Sequence, residues 1–201
     1  MSISDMIAFV SDAQLLALAR GGDDRAFGAL VDRYEPAVAA TVIGMLGRGD
    51  EADDVGQETF IRFHRSLHKF RGESSLKTYL VHIAINLSIN ALRRRRRMLL
   101  RFVSQDDTTV DAPEPRPGPA GELDVNELQA VVQDAVARLN EKHRAVVVLR
   151  LFHEYSTRET AHMLGVPEGT VLSRLSRAMK ELEAQLAPYV THGAALPETI
   201  R

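Results

Sequence analysis

The sequence predicts an all-α protein of two small helical domains joined by a flexible, acidic, proline-rich linker. Apolar residues recur near the 3.6-residue helical period in both halves of the chain, and no alternating run bounded by turn signals demands a sheet. Between the halves, Ser104 to Gly121 holds four of the eight prolines and mostly acidic charges. We therefore expect domains at 12–100 and 126–187, a linker at 101–125 and a C-terminal tail at 188–201.

The composition excludes several classes of site. The 201 residues contain no cysteine, which rules out a disulfide framework, a thiolate zinc site and a thiol nucleophile. The N-terminus lacks the basic region of a secretory signal, and the longest apolar stretch, Val38 to Leu46, is far shorter than the roughly 20 residues that span a bilayer. We expect a cytoplasmic protein without membrane insertion.

The helices of the first domain can be placed from their caps and apolar faces. N-caps are expected at Asp12, at Asp23 or Asp24, at Asp50, and at Ser74 or Ser75. Two helical repeats follow Asp50, separated by a loop at Arg71–Ser75. The first repeat consists of Val55, Phe60, Phe63, Leu67 and Phe70, and the second of Leu76, Leu80, Ile83, Leu87 and Ala91.

Acidic residues crowd the start of the helix that follows Gly49. They are Asp50, Glu51, Asp53, Asp54 and Glu58, with Gln57 beside them. Acids stabilise a helix N-terminus through its dipole, but five exceed what capping needs. We therefore expect this surface to face a basic partner. Because no base, nucleophile or metal set accompanies the acids, we assign them no catalytic role.

The next helix carries a polar stripe and then a basic run. The stripe is Tyr79, His82, Asn86 and Asn90. Asparagine has low helix propensity, so two on one face need an explanation. Beside the loop at 70–75, the stripe suits unpaired bases, although a merely solvated face fits equally well. Arg93 to Arg97, with Arg101 beyond, exceed the need of the helix dipole and favour phosphate contacts.

The second domain contains the signature of a helix-turn-helix. Ala145 to Leu149 imitates a strand, but its flanks favour a buried helix. Ser156 to Glu159 forms a capping box, a short helix ends at Gly165, and Pro167 precedes a longer helix.

On the longer helix, the apolar residues expected to point inward are Val171, Leu175, Met179 or Ala178, Leu182 and Leu186. A separate polar face is formed by Thr170, Ser173, Arg174 and Arg177. These residue types contact phosphates and base edges, although an αα-hairpin with solvated arginines is the plainer alternative. Between Arg138 and Lys180, eight basic residues oppose four acidic ones, and this local charge of +4 favours DNA.

Several ordered motifs together resemble a known family. They are Asp53–Phe60, Phe70–Ser75, Thr78–Leu80 and Ile83–Asn86 in the first half, and Leu139–Arg144 and Gly169–Leu175 in the second. In this order, and with a linker between them, they resemble bacterial sigma factors of the extracytoplasmic-function class, which are sigma-70-type proteins with domains two and four only. The resemblance covers about 12–100 and 126–187.

The resemblance implies a specificity subunit of RNA polymerase and no enzyme activity or cofactor of its own. Asp53, Asp54, Gln57 and Glu58 would dock on the β′ clamp helices of core RNA polymerase, whose β flap is a second expected contact. Phe70, Arg71, Gly72, Glu73, Ser74, Tyr79, Asn86 and Asn90 would bind the −10 element as it melts, and Arg93, Arg94 and Arg97 would contact phosphates. Thr170, Ser173, Arg174 and Arg177 would read the −35 element of promoter DNA. An anti-sigma factor is a further expected partner.

Two other functions are weighed against this one. A stand-alone helix-turn-helix regulator would use the second domain alone and leave the loop and the acidic helix without a role. A metal-dependent enzyme could be built on His64 and His68, which are spaced by four residues. We expect no metal there, because the pattern supplies no third ligand and Phe63 and Leu67 lie between the histidines.

Overall fold

The computed structural model describes residues 10–103 and 125–190, and every regular element within these two ranges is helical. The α-helices are α1 (Asp12–Arg20), α2 (Asp24–Leu46), α3 (Asp50–Ser66), α4 (Leu76–Val103), α5 (Val125–Arg138), α6 (Glu141–Val147), α7 (Thr157–Leu164) and α8 (Glu168–Val190). A 3-10 turn at Leu67–Lys69 follows α3, and a π turn at Val148–Phe152 follows α6. The all-α prediction is confirmed.

The ends of the predicted linker and tail differ from the expectation. Residues 101–103 complete α4 and Val125 begins α5, so both helices extend into the segment assigned to the linker. Residues 188–190 likewise belong to α8 rather than to a separate tail. The remainder of the predicted linker, 104–124, and of the tail, 191–201, lies outside the described residues.

The chain divides into two compact units. Of the described residues, the first contains 10–43 and Arg48–Leu87, and the second contains Gly44–Gly47, 88–103 and 125–190. Helices α2 and α4 therefore each contribute residues to both units.

The core of the first unit contains Phe63, whose side chain is completely buried. The Phe27 ring stacks on it with centroids 5.7 Å apart. Most positions of the two helical repeats predicted from the sequence are buried, although Phe60 and Ile83 are only half-buried. Burial of this apolar face, rather than helix propensity, accounts for most of the stability of such helices.

Two of the predicted N-caps are confirmed. Asp23 Oδ1 accepts hydrogen bonds from the amides of Arg25 and Ala26 at 2.9 and 3.1 Å. Ser75 Oγ accepts from the amide of Thr78 at 3.1 Å. Each cap satisfies donors that have no partner inside the helix.

The caps predicted at Asp12 and Asp50 are wrong by one residue. Ser11 caps α1 in a capping box with Gln14, and Asp12 instead pairs with Arg33 at 2.6 Å. Gly49 occupies the N-cap position of α3 with a φ of 138°, so Asp50 is the first helical residue. Asp50 acts there through the helix dipole and not through a side-chain cap.

The second unit is built around two clusters of buried residues. One cluster joins α5, α6 and α8 through Val136, Leu139, Val147, Ala178 and Leu182. The other joins α6, α7 and α8 through Val146, Ala161 and Val171. The strand-like run at 145–149 is completely buried and helical, as predicted, but its last two residues belong to the π turn. Of the inward positions predicted on α8, Val171, Ala178, Leu182 and Leu186 are buried, and Leu175 and Met179 are half-buried.

Candidate functional site

The acidic face is formed by Asp53, Asp54, Gln57 and Glu58 on α3. The first three are exposed, and Glu58 is half-buried and accepts a hydrogen bond from Arg62 Nε at 2.8 Å. The Glu58–Arg62 pair is a surface pair of small energetic value, so a partner can replace it at low cost. The acidic face is therefore an accessible anionic surface.

Ile61 is an apolar member of the same surface that sequence reasoning missed. It is 44 % exposed and lies four residues after Gln57 and seven after Asp54, which places the three side chains on one side of α3. The spacing was available in the sequence, but the residue reads as core until its exposure is known. An apolar side chain surrounded by polar ones is the arrangement found at the centre of protein interfaces.

The loop at 71–75, between the 3-10 turn and α4, is exposed at every position. Gly72 has a φ of 74°, a conformation that residues with a Cβ rarely adopt. Its neighbours Arg71, Glu73 and Ser74 present their side chains to solvent. The loop therefore offers polar side chains and backbone on a turn that requires glycine.

Phe70 and Tyr79, the two aromatic residues predicted at this site, are less exposed than the loop residues. Phe70 is buried, and its ring lies 5.0 Å from that of half-buried Tyr79. The Tyr79 hydroxyl donates to Ser66 Oγ at 2.9 Å. The two rings therefore pack against each other at the base of the loop, and the Phe70 ring is not exposed for stacking.

Arg20 fixes the start of the loop and was missed by sequence reasoning. Its Nε donates to the Leu67 carbonyl at 3.1 Å, and its guanidinium also donates to the Phe70 carbonyl. One side chain therefore satisfies two carbonyls, that of the first residue of the 3-10 turn and that of the residue after the turn. No signal in the sequence indicates these bonds, because Arg20 lies 47 and 50 residues away from its partners.

The polar stripe of α4 is exposed only in its second half. Asn86 and Asn90 are exposed, whereas Tyr79 and His82 are half-buried. Arg93 to Arg97 follow on the same helix and are exposed, with Arg97 Nε donating to the Arg93 carbonyl at 3.3 Å. Amide groups and a dense positive charge therefore lie along one continuous helix, a combination that suits bases and phosphates.

The helix-turn-helix has the local geometry that the sequence predicted. Ser156 Oγ accepts from the Glu159 amide at 3.2 Å, and the Ser156 amide donates to Glu159 Oε2 at 2.8 Å. The Ser156 hydroxyl also donates to Glu159 Oε2 at 2.6 Å, and this bond together with the one from the Ser156 amide holds the pKa of Glu159 below its ordinary value. Gly165 ends α7 in the left-handed conformation with a φ of 63°. The capping box therefore fixes the start of α7, and Gly165 fixes the turn that leads from α7 to α8.

The exposed face of α8 differs from the polar face predicted for it. Ser173 and Arg177 are exposed, but Thr170 and Arg174 are half-buried. The remaining exposed positions in its first three turns are Glu168, Gly169, Leu172, Ser176 and, just beyond, Lys180. Polarity by itself does not determine how far a side chain is exposed, because the edge of an amphipathic helix also holds polar residues.

Some of the positive charge of the second domain is not accessible. Arg144 is buried, and its guanidinium donates to the carbonyls of Ala137 and Leu139. Burial lowers the pKa of Arg144 below its ordinary value. Arg150 similarly donates to the Tyr155 carbonyl. The local charge of +4 counted from the sequence therefore overstates the charge that faces a ligand.

His64 and His68 do not form part of a larger ligand cluster. His64 meets the Phe27 ring edge-on with centroids 4.8 Å apart. Within residues 10–103 and 125–190, no three His, Cys, Asp or Glu side chains are grouped to hold a metal ion. In the same ranges, no helix has the length and hydrophobicity needed to cross a bilayer.

Comparison with known proteins identifies the family. The sigma-70 region 2 model matches residues 30–98, and the sigma-70 region 4 model matches residues 129–182. The RNA polymerase sigma-H factor of Pseudomonas aeruginosa is 33% identical over 92% of this chain and 98% of its own. The ECF RNA polymerase sigma-E factor of Haemophilus influenzae is also 33% identical, over 90% of this chain and 98% of its own.

The chain belongs to the extracytoplasmic-function class of RNA polymerase sigma factors. The region 2 match contains the acidic face, the loop at 71–75 and the polar stripe, which a stand-alone helix-turn-helix regulator would not need. The sigma factor function is therefore favoured over that alternative.

Two solved structures of sigma factors share this fold. RpoE of Bartonella quintana, in complex with the anti-sigma factor NepR, covers 80% of this chain and 96% of its own, with 26% identity and a TM-score of 0.62. CnrH, in complex with the cytosolic domain of CnrY, covers 86% of this chain and 95% of its own, with 26% identity and a TM-score of 0.58.

Proposed function

We propose that this sigma factor directs core RNA polymerase to promoters through three separate surfaces. The acidic face binds the β′ clamp helices, the loop at 71–75 with Asn86 and Asn90 takes the melting −10 element, and α8 reads the −35 element. The second domain also contacts the β flap. The protein works in the cytoplasm, where its polymerase and promoter DNA are found.

The acidic face is the observation that supports this proposal most strongly. Asp53, Asp54 and Gln57 are exposed side by side on α3, with Ile61 beside them. Such a surface has little use within the folded chain, since a helix N-terminus needs fewer acids than these. A basic helical partner would neutralise the acids and bury Ile61, which gives both an electrostatic and an apolar contribution to binding.

Capture of the −10 element rests on the exposed loop and the amides of α4. A base that leaves the duplex needs hydrogen-bond partners for its edge, which Asn86, Asn90 and the loop backbone supply. Arg93, Arg94 and Arg97 hold the adjacent phosphates. Phe70 and Tyr79 act indirectly in this proposal, because their rings support the loop and lie against each other.

Recognition of the −35 element rests on the exposed face of α8. Ser173 and Arg177 are exposed in the part of the helix that enters a major groove in helix-turn-helix proteins. Thr170 and Arg174, half-buried at the edge of that face, are assigned to phosphate contacts near the groove wall.

An anti-sigma factor is proposed as a regulatory partner. The Bartonella quintana relative was solved with its anti-sigma factor, and CnrH was solved with the cytosolic domain of CnrY. A protein of this kind can inhibit the factor by covering the acidic face or α8.

The experiment that tests the proposal measures duplex binding with and without core polymerase. The full chain alone should bind promoter duplexes weakly and with little sequence preference, whereas its complex with core should bind selected promoters tightly. The variant D53N/D54N should reduce the affinity for core. Tight, sequence-specific binding by the chain alone, unchanged on addition of core, would instead support a stand-alone regulator.

A further inference from the structure

Leu172 is a large apolar side chain on the outside of α8. It is 55 % exposed, although the same helix buries Val171, Ala178 and Leu182 on its inner face. Among the described residues of α7 and α8, Leu172 is the only large hydrophobic residue that is exposed to this degree. Packing within the chain therefore does not explain why leucine occupies this position.

Three exposed neighbours of Leu172 on the helix surface are small. Gly169, Leu172, Ser173 and Ser176 follow one another at spacings of three, one and three residues, which places them on one face, and all four are exposed. A Cβ added to Gly169 would meet no atom within 4 Å. Small neighbours let the helix backbone approach a binding partner closely, and Leu172 then projects from the helix toward that partner.

The charge around this face favours DNA over a protein as the occupant. Arg177 and Lys180 are exposed on the following turns, where phosphates would be neutralised. A protein interface buries a core of several apolar and aromatic residues, whereas here a single leucine stands among glycine, serine and basic residues, with one exposed acid, Glu168, at the start of the helix. In the major groove, the C5-methyl of thymine is the apolar group that such a side chain can contact.

We propose that Leu172 selects a thymine in the −35 element by burying its C5-methyl group. This inference rests on the proposed function, because it assumes that α8 enters the major groove of the −35 duplex. Leu172 is then a specificity-determining residue. Burial of one methyl group corresponds to about a fourfold gain in affinity.

The test uses base analogues that change only the methyl group. The −35 element is first selected from a randomised duplex library with the complex of core polymerase and the full chain. Each thymine of the selected element is then replaced by deoxyuridine, which pairs identically but lacks the methyl. We expect one position where wild-type complex loses about fourfold in affinity and where the Leu172→Ala complex loses nothing.

A matched variant controls for the loss of an exposed leucine. Leu18 on α1 is 51 % exposed, and Leu18→Ala should keep the full deoxyuridine penalty. Equal penalties in wild type and Leu172→Ala, a selected element without thymine, or no penalty at any thymine would overturn the inference while leaving the proposed function intact. Failure of the wild-type complex to select any −35 element would instead contradict the proposed function itself, and the inference with it.

Discussion

Arg177 is exposed on α8, and its guanidinium could contact either a guanine base or a backbone phosphate of the −35 element. Its guanidinium can pair bidentately with a guanine, which is worth about 1–3 kcal/mol of discrimination. Arg177→Ala should therefore weaken binding by this amount at one −35 position only. Arg177→Lys keeps the charge but not the planar fork, so it should restore phosphate attraction without restoring the preference. Affinities on single-base variants of the element provide the measurement, and an equal loss on every sequence would reassign Arg177 to a phosphate.

Asn86 and Gln57 should have separable functions because they lie on different helices, α4 and α3. Asn86→Ala should impair selection and opening of the −10 element while core affinity stays unchanged, since the proposed function assigns its amide to DNA and not to core. Gln57→Ala should lower core affinity and leave −10 selection unchanged in the complexes that form. Titration of core polymerase with labelled factor measures core affinity, and permanganate reactivity of −10 thymines measures opening of the −10 element. A loss of core affinity in Asn86→Ala would refute the role of that residue.

At the scale of the element, Gly165 sets the turn between α7 and α8. Its φ of 63° is left-handed, and a Cβ there would meet no atom within 4 Å, so the cost of alanine is confined to the backbone. Gly165→Ala should destabilise the motif by about 1–2 kcal/mol. Gly169→Ala makes the same change inside α8, where it should be neutral or stabilise by up to about 1 kcal/mol. Hydrogen exchange of α7 amides measures the stability change in both variants. Equal effects of the two variants would contradict the assignment of the Gly165→Ala cost to its left-handed backbone.

Glu159 makes the capping box of α7 sensitive to acid. Its pKa lies below the ordinary value of 4.5 because Ser156 donates to the carboxylate, so the stabilisation is present above that value and is lost as the pH falls through the lowered pKa. The difference in melting temperature between wild type and Glu159→Gln should be constant near neutral pH and shrink below about pH 4. In a Ser156→Ala background this pH dependence should weaken but not vanish, because the hydroxyl bond to the carboxylate is lost while the amide of residue 156 still donates to it. An unchanged pH dependence there would show that the Ser156 hydroxyl is not the main cause of the lowered pKa.

Local elements of this fold could be predicted from the sequence, and distant contacts could not. Ser156, Glu159 and Gly165 act on neighbours within a few residues, so their roles follow from spacing and residue type. Arg20 acts on carbonyls 47 and 50 residues away, and only the tertiary structure brings them together. Burial was the other missing quantity: the resemblance assigns Phe70 and Tyr79 to binding of the −10 element, but Phe70 is buried and its ring packs against that of half-buried Tyr79.

At the scale of the whole molecule, the net charge of −2 is a sum over surfaces of opposite sign. The acidic face, the arginines of α4 and the basic residues of α8 lie on separate helices, so each can attract its own partner. Not every charged residue belongs to one of these surfaces, because Arg144 is buried and contributes to the structure of the second unit. A near-neutral total is therefore compatible with binding both an acidic duplex and a basic protein.

Run-off transcription tests the central claim most directly. Purified chain, core RNA polymerase and a library of genomic promoter fragments are combined, and transcripts are mapped to their start sites. The account predicts initiation at a defined set of promoters that share −10 and −35 elements, abolished when the chain is omitted and strongly reduced for D53N/D54N. Intact binding to core without initiation at any promoter of the library would contradict it.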